Sequence, residues 1–191
     1  LSLHDALPIS RIIVVLGFLR NAMGTPTSPP NIVLISLALF MTLFIMQPVF
    51  EIAWKDGVQP YMDSKIDEKE AFAKTVAPFH NFMMHHTREK DLQLFMDLGK
   101  VEPPKEVKET PLRVLIPAFM ISELRRAFEI GFLLFLPFLI IDMVIASILM
   151  SMGMMMLPPV MVSLPFKLIF FVLVDGWALV VGSLVQSFGS G

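Results

Sequence analysis

The chain has 191 residues, of which 55% are hydrophobic and 17% are charged, and its net charge is -2 at pH 7. With a mean hydropathy of +0.70, this composition is too apolar for an ordinary soluble domain of this length and indicates a membrane protein. The small net charge excludes a strongly basic nucleic-acid-binding surface, and the absence of cysteine excludes disulfides, thiolate metal sites and cysteine nucleophiles.

The first ten residues, LSLHDALPIS, look foreign to the rest of the chain. No positively charged end precedes an apolar core of adequate length, and His4 and Asp5 interrupt the stretch, so it does not fit a signal peptide. The stretch resembles the translation of a sequencing adapter, and no initiator methionine precedes it. We therefore expect residues 1–10 to be an artefactual start on a truncated sequence, and we assign them no function.

Two apolar helices are predicted between residues 11 and 54. The first is the short segment RIIVVLGFLRNAMG, which the proline-rich turn TPTSPP follows. Asn31 can cap the second helix, which extends to Trp54 with Glu51 as its one charged residue. This second helix has about the 20 apolar residues that a helix needs to cross the hydrocarbon core of a membrane.

A hydrophilic region follows over residues 55–113, with ten Lys or Arg and eleven Asp or Glu between Lys55 and Arg113. It must lie in water or at a polar interface. An amphipathic helix is predicted here, because apolar residues recur at helical spacing. These residues are Phe72, Val76, Phe79, Phe82 and Met83.

Three histidines of the same region, His80, His85 and His86, are candidate metal ligands with Glu89. Their spacing is not His-Glu-x-x-His, and no cysteine supports a structural zinc site. We therefore interpret them as surface histidines and expect no metal and no cofactor.

Two longer apolar segments, 128–150 and 160–188, are each long enough for a helix, and SMGMMMLPP joins them. Pro137 and Pro165 predict kinks in these helices. The expected fold is all-α, with membrane-associated helical hairpins and a hydrophilic helical middle region. The predicted segments are 1–10, 11–54, 55–113 and 114–191.

Three ionisable residues, Asp142, Lys167 and Asp175, lie within these apolar segments. A charge at bilayer depth costs several kcal/mol, so each needs a partner or water. If the two segments form a hairpin, Asp142 and Lys167 stand at comparable distances from the turn and can pair. A structural ion pair is favoured, because no further chain of acids continues a relay, and an ion or proton path is the alternative. An interfacial charge cluster that packs on a neighbouring subunit is predicted for Glu123, Arg125, Arg126 and Glu129.

No enzymatic function is predicted. The contexts LIIDMV and VLVDGW lack the Gly-x-Gly-Asp turn of intramembrane aspartyl proteases, and no glycine-rich phosphate loop follows a strand.

The three consecutive methionines, Met154, Met155 and Met156, stand at the tip between two predicted helices. Flexible thioether side chains commonly fill gaps between helices, which is the simplest interpretation. One helix face cannot bury three consecutive side chains, however. In a ring of several copies such tips converge on the axis and close it. Phe82 is a second candidate closure, with its neighbours Phe79 and Met83 facing a lumen, and a core position for Phe82 is equally open.

Four stretches resemble the FliP family, the export-gate proteins of flagellar type III secretion, and their injectisome counterparts. They are LGFLRNAMGTPTSPPN, LALFMTLFIMQPVF, IPAFMISELRRAFEIGFLLFLPFLIIDMVIASILMSMGMMMLPP and LPFKLIFFVLVDGWALVVGSLVQSF. The resemblance runs from about Arg11 to Ser190. It implies an all-helical export-gate subunit that assembles in several copies with two smaller FliQ- and FliR-like membrane proteins, at the flagellar basal body in the bacterial inner membrane.

The resemblance further implies a methionine gasket at Met154–Met156 and a phenylalanine constriction at Phe82. Helices that look membrane-spanning would stack as hairpins in a cone at and above the outer surface of the inner membrane, with residues 55–113 on the periplasmic side. Other flagellar export components and unfolded protein substrates are the implied partners. The family carries a further apolar helix, and in many members a signal sequence, before the position of Arg11.

The predicted function is therefore a gated pore for unfolded flagellar proteins. The alternative is a membrane carrier of protons or cations that uses Asp142, Lys167 and Asp175, and a purely structural scaffold for other export components is a third hypothesis.

Overall fold

The computed structural model describes residues 8–102 and 109–189. Within these ranges every regular element is a helix and no strand occurs, which confirms the predicted all-α fold. In chain order the helices are α1 (Ile9–Ala22), α2 (Asn31–Ala53), a π-helix (Trp54–Val58), α3 (Gln59–Met62), α4 (Glu68–His86), α5 (Glu89–Gly99), α6 (Leu112–Ser151), α7 (Pro159–Leu173) and α8 (Gly176–Gly189).

Two helical stretches have the length and apolar composition of membrane spans, Asn31–Met62 and Leu112–Ser151. Helices α7 and α8 together meet the same criterion, but the chain bends by 63° between them. Within the chain, only 28% of the most apolar part of the first stretch and 11% of that of the second are buried. Both stretches therefore turn most of their apolar side chains outward, to lipid or to other protein chains.

The start of α2 differs from the prediction that Asn31 caps it. Asn31 is the first helical residue, and the carbonyl oxygen of Pro30 accepts hydrogen bonds from the amides of Val33 and Leu34, at 3.0 and 3.3 Å. The side-chain oxygen of Asn31 instead accepts a hydrogen bond from Arg20 Nη1 at 2.6 Å. The guanidinium of Arg20 thereby ties the end of α1 to the start of α2.

The last apolar segment is not the single kinked helix predicted over 160–188. Helix α7 continues through Pro165. The helical conformation is interrupted at Asp175, whose φ of 50° is left-handed. Gly176 follows and packs so closely on Phe171 that a Cβ atom there would lie 2.7 Å from Phe171 Cζ. A left-handed residue and a close ring contact, instead of a proline, mark the end of α7.

The described chain divides into two compact units, one built mainly on Leu39–Arg125 and the other on Arg11–Ala38 with the residues from Arg126 onward. The core of the first unit lies where α4, α5 and the start of α6 meet. Its buried side chains are those of Met83, Leu115, Ile116 and Phe119. Phe82, Met84, Leu92 and Leu112 pack around this cluster and are partly buried.

The π-helix of the first unit packs directly on α4. Gly57 is buried in this contact, and a Cβ atom at its position would lie 2.8 Å from the backbone nitrogen of Thr75. A glycine is required there because backbone atoms, unlike a flexible side-chain end, cannot move aside. The wider turn of the π-helix directs Lys55 and Asp56 to the same side as α4 residues.

In the second unit, α1 packs on α6 and on α8. The ring of Phe18 meets the ring of Phe128 edge to face, with 5.0 Å between centroids. At the other contact, the guanidinium carbon of Arg11 lies 3.7 Å from the ring centroid of Phe188, and Arg11 Nη1 donates to the carbonyl oxygen of Ser187 at 3.1 Å. Arg11 is buried, so a cation–π contact and a hydrogen bond together replace its lost hydration.

Candidate functional site

The methionine turn, residues 152–158, joins α6 to α7 and is fixed by its backbone. The amide of Met154 donates to the carbonyl oxygen of Leu149 at 2.9 Å, and the amide of Gly153 donates to that of Met150 at 3.1 Å. This pair of bonds is a Schellman cap, which needs a left-handed residue between the helix and the turn. Gly153 supplies it with a φ of 73°, so the methionine side chains are not needed to hold the turn.

The three consecutive methionines of the turn are exposed to different degrees. Met154 is 41% exposed, Met155 81% and Met156 98%. Met154, which follows the capping glycine, is the least exposed of the three. The structure therefore has the predicted methionine tip between two helices, and its role in a pore stays a prediction.

Asp142 and Lys167 form the ion pair that the hairpin geometry predicted, between α6 and α7. Lys167 Nζ lies 2.6 Å from Asp142 Oδ2, with 4% of the lysine side chain and 27% of the aspartate side chain exposed. The hydroxyl of Ser163 donates to the other carboxylate oxygen, Oδ1. Both ends of the pair are thus satisfied within the second unit, as the structural interpretation of these charges requires.

Asp175 occupies a position that differs from the prediction. Asp175 does not lie inside an apolar helix: it is exposed in the isolated chain, at the break between α7 and α8. Glu123 is buried within the chain, with an exposed fraction of 0%, and its contact with a neighbouring subunit stays a prediction. Arg126 and Glu129 do lie at the surface, 3.8 Å apart. Burial of Asp175 against other chains stays a prediction.

Asp91, a buried carboxylate that no sequence pattern indicated, links α5 to α6. Arg88 donates to both of its oxygens, from Nε at 2.8 Å and from Nη2 at 2.7 Å, and Ser122 Oγ donates at 2.6 Å. Burial alone would raise the pKa of Asp91, but the hydrogen bonds from Ser122 and Arg88 and the charges of Arg88 and Arg125 outweigh it and lower that pKa. Asp91 is therefore ionised at neutral pH.

Phe82 lies between the core of the first unit and an open cleft. On one side its ring contacts Phe119, with 6.2 Å between centroids, and it packs on the core cluster. Met83 is 2% exposed and belongs to that cluster, so the prediction that it faces a lumen is wrong. Phe79 packs instead on Phe50, with 5.6 Å between ring centroids.

The cleft beside Phe82 has a volume of about 740 Å³ and belongs wholly to the first unit. Its walls come from α2, the π-helix, α3 and α4. The polar and charged side chains among its lining residues are Lys55, Asp56, Lys74, Asn81, His85 and His86. A hydrogen bond from Lys74 to Glu70 and the negative charge of Glu70 raise the pKa of Lys74, so this lysine keeps its charge.

The three histidines have three different environments. His80 is buried, and its Nε2 donates to the carbonyl oxygen of Thr110 at 2.8 Å, so the prediction of a surface position is wrong for this residue. His85 is exposed, whereas His86 is half-buried and stacks on Phe82. Among residues 8–102 and 109–189, no group of three or more His, Asp or Glu side chains is arranged to hold a metal ion.

Sequence reasoning missed two partners that the helical period would have indicated. Ser163 lies one helical turn before Lys167, and His86 lies one turn after Phe82, so each pair shares a helix face. The partners of Asp91 could not be found in this way, because Ser122 is 31 positions away along the chain.

These features define a helical, membrane-associated protein whose apolar helices and methionine turn are uncovered in the isolated chain. The chain belongs to the FliP family, which matches residues 6–184. The Flagellar biosynthetic protein FliP of Caulobacter vibrioides is 61% identical over 181 residues, which cover 95% of this chain and 68% of that protein. The protein of the same name from Bacillus subtilis is 58% identical over 179 residues, 94% of this chain and 81% of that protein.

Proposed function

We propose that this chain is a subunit of the protein-conducting export gate of a bacterial flagellar type III secretion system, where it forms a gated pore for unfolded flagellar proteins. Membership of the FliP family and relatives named as flagellar biosynthetic proteins support this function. The observation that carries the pore is the methionine turn, whose Met155 and Met156 are almost fully exposed on a backbone that they do not stabilise.

The exposed apolar surface supports assembly with other chains. Single-chain burial leaves large apolar side chains uncovered on α2, α6 and α7. A protein of this kind covers such surface with lipid or with partner chains. We infer that several copies pack on one another and on two smaller export-gate proteins of the FliQ and FliR type, with other flagellar export components nearby.

The proposed location is the bacterial inner membrane at the flagellar basal body. The hydrophilic region 55–113 would stand on the periplasmic side, between the apolar segments 11–54 and 114–191. In this arrangement the chain is a conduit and not an enzyme, and the energy for transport is supplied by other components.

In this proposal the methionine turns of several copies meet around the pore axis and close it at rest. Thioether side chains are flexible and polarisable, so they can pack against each other and also adapt to a passing polypeptide. A gate with these properties reseals against ions after each substrate. Phe82 would form a second constriction, and the cleft beside its ring leaves it room to move.

The alternative function, a carrier of protons or cations, gains no support. Asp142 and Lys167 are paired with one another, and the hydroxyl of Ser163 donates a hydrogen bond to the second carboxylate oxygen of Asp142. Asp175 lies at the break between α7 and α8, whereas Asp142 lies within α6 and Lys167 within α7. The named relatives are flagellar biosynthetic proteins.

The test is the ion conductance of membranes that contain the assembled complex. Replacing Met154, Met155 and Met156 together with alanine should raise the resting conductance, because alanine leaves the axis open to water. The matched control replaces Met62 and Met143, which are also more than half exposed but lie outside the turn. Unchanged conductance in the triple variant, in complexes of normal size, would exclude the gasket.

A further inference from the structure

His86 contacts the ring of Phe82 at the end of α4, and a hydrogen bond to the backbone of Phe82 orients the imidazole for this contact. The imidazole ring lies on the ring of Phe82, with 4.4 Å between centroids and 37° between planes. Its Nδ1 is 2.9 Å from the carbonyl oxygen of Phe82. A carbonyl oxygen can only accept, so Nδ1 carries the proton, and a second proton can enter only at Nε2.

We propose that His86 is a positioning residue that holds the ring of Phe82 in its closed conformation, and that protonation of His86 tightens this hold. The proposal rests on the proposed function, in which Phe82 constricts the pore. Protonation at Nε2 leaves the bond from Nδ1 to the carbonyl oxygen intact, so the stacked geometry is the same for both charge states.

The surroundings of Phe82 explain why such a hold is needed. One side of the ring packs on Phe119 and the core cluster, while another borders the cleft of about 740 Å³. A phenylalanine with an open cleft beside it has space for another rotamer. His86 lines the same cleft one turn further along α4, and its ring restricts that movement.

Protonated His86 interacts more favourably with Phe82 than neutral His86 does, because the negative face of an aromatic ring attracts a cation. His86 is also the last residue of α4, where the partial negative charge of the helix end favours an imidazolium. The contact with the ring and the position at the helix end both favour the imidazolium. Each strengthens the stacked arrangement as the pH falls.

Charged groups from the neighbouring elements modify this effect. The π-helix contributes Lys55 and Asp56 to the cleft, and α4 itself contributes Lys74 and His85, whose ring is 5.2 Å from that of His86. From α6, the nearest charged residue along the helix from Phe119 is Glu123, which is completely buried. Within the cleft, the negative charge of Asp56 favours an imidazolium, and the positive charges of Lys55 and Lys74 oppose it.

The first experiment observes the ring directly, with 4-fluorophenylalanine at position 82 and fluorine NMR of the assembled complex between about pH 5 and 9, the range in which imidazoles titrate. The resonance should shift with pH in the wild type. It should not shift in His86→Phe, which keeps an aromatic stack but has no titratable nitrogen. His85→Phe is the matched control and should titrate as the wild type does. The proposal would be overturned if the resonance of the wild type did not shift with pH. It would also be overturned if His85→Phe abolished that shift.

The second experiment measures resting ion conductance. The resting conductance should be about threefold higher at the alkaline end of the pH range than at the acid end. A change of this size corresponds to the loss of a modest cation–π contact when the imidazolium loses its charge. His86→Gln keeps a donor for the carbonyl oxygen but has no ring, and it should conduct at the high level throughout. His86→Phe should show no pH dependence.

Phe82→Ala distinguishes a failure of the Phe82 constriction from a failure of the positioning role of His86. If Phe82→Ala conducts no more than the wild type, the constriction, and with it this part of the proposed function, is wrong. If Phe82→Ala raises conductance but His86→Gln does not, the constriction stands and the role of His86 is overturned.

Discussion

Asp91 joins three points of the first unit through side chains alone. Arg88 precedes α5, Asp91 lies in its first turn, and Ser122 lies on α6. Ser122 also accepts a hydrogen bond from the backbone amide of Arg88 at 3.0 Å. The turn between α4 and α5 is therefore attached to α6 by a carboxylate and a hydroxyl that depend on each other.

We expect Asp91→Asn to lower the free energy of unfolding by about 1–3 kcal/mol at pH 7, since it removes charge-assisted hydrogen bonds at a buried position. Because the pKa of Asp91 is lowered on folding, its contribution is fully present above its ordinary value of 3.8 and is lost as the pH falls through the lower folded-state value. The measurement is chemical unfolding in detergent between about pH 2 and 7.

The control for this prediction is Asp97→Asn, an exposed carboxylate on the same helix. It should change stability little at any pH. A difference between the wild type and Asp91→Asn that stays constant down to the acid end of the range would contradict the prediction.

At the residue scale, the sequence predicted what depends on short spacing and on burial of charge. The pairing of Asp142 with Lys167 follows from their comparable separation from the methionine turn, once a hairpin is assumed. The position of Asp175 was not predicted, because hydropathy is continuous through it. Its neighbour Gly176 makes an Asp-Gly pair, which is a known signal for a turn, and this signal marked the helix break.

At the scale of elements, the π-helix is the feature with the most specific packing. It continues α2 without a gap, and it brings Gly57 against Thr75 of α4. π-helices are rare in proteins, and many of those that occur lie at functional sites. Here the element forms one wall of the cleft beside Phe82.

Gly57→Ala should lower the free energy of unfolding by about 1–3 kcal/mol, the usual effect of adding a methyl group to a close contact. The new Cβ atom would overlap the backbone of Thr75, so the π-helix and α4 must separate. Gly17→Ala is the control, since nothing lies within 4 Å of a Cβ atom at that helical position. The control should be neutral or stabilising by up to about 1 kcal/mol.

Chemical unfolding of both variants in detergent provides the measurement. Equal stability of Gly57→Ala and the wild type would mean that the contact between the π-helix and α4 adapts without loss.

The long apolar helices were predictable from the sequence, because long apolar runs have a strong local signature. Caps were less predictable: the cap expected at Asn31 is absent, whereas Asp67, which was not selected, accepts a hydrogen bond from the amide of Glu70 at 2.7 Å. The π-helix was not predictable, since its hydrogen-bond shift depends on the tertiary contact at Gly57.

At the scale of the whole molecule, the isolated chain leaves its apolar helices and its methionine turn uncovered. The absence of cysteine makes the proposed assembly directly testable. If the turns of several copies meet at one axis, a single Met155→Cys variant should form cross-linked dimers with a short bis-maleimide in the assembled complex.

Met143→Cys is the matched control, since Met143 is 62% exposed on α6 but lies outside the turn. It should cross-link much less than Met155→Cys. The readout is the fraction of dimer on a denaturing gel. Equal cross-linking at the two positions would contradict convergence of the turns.

The role of the methionine turn was suggested by its sequence, but no property of a single chain determines what covers it. Burial against partner chains is a property of the assembly, and an isolated chain carries only the surface that will be buried. The fold of each unit was therefore more predictable than the gate.

The contact of Arg11 with Ser187 and Phe188 has a consequence for biosynthesis. Ser187 lies 176 positions after Arg11 along the chain, and Phe188 follows it, so α1 is synthesised well before the helix on which it packs. Until that helix has been synthesised, the guanidinium of Arg11 lacks the ring and the carbonyl oxygen that enclose it. The second unit can therefore close only after α8 has left the ribosome.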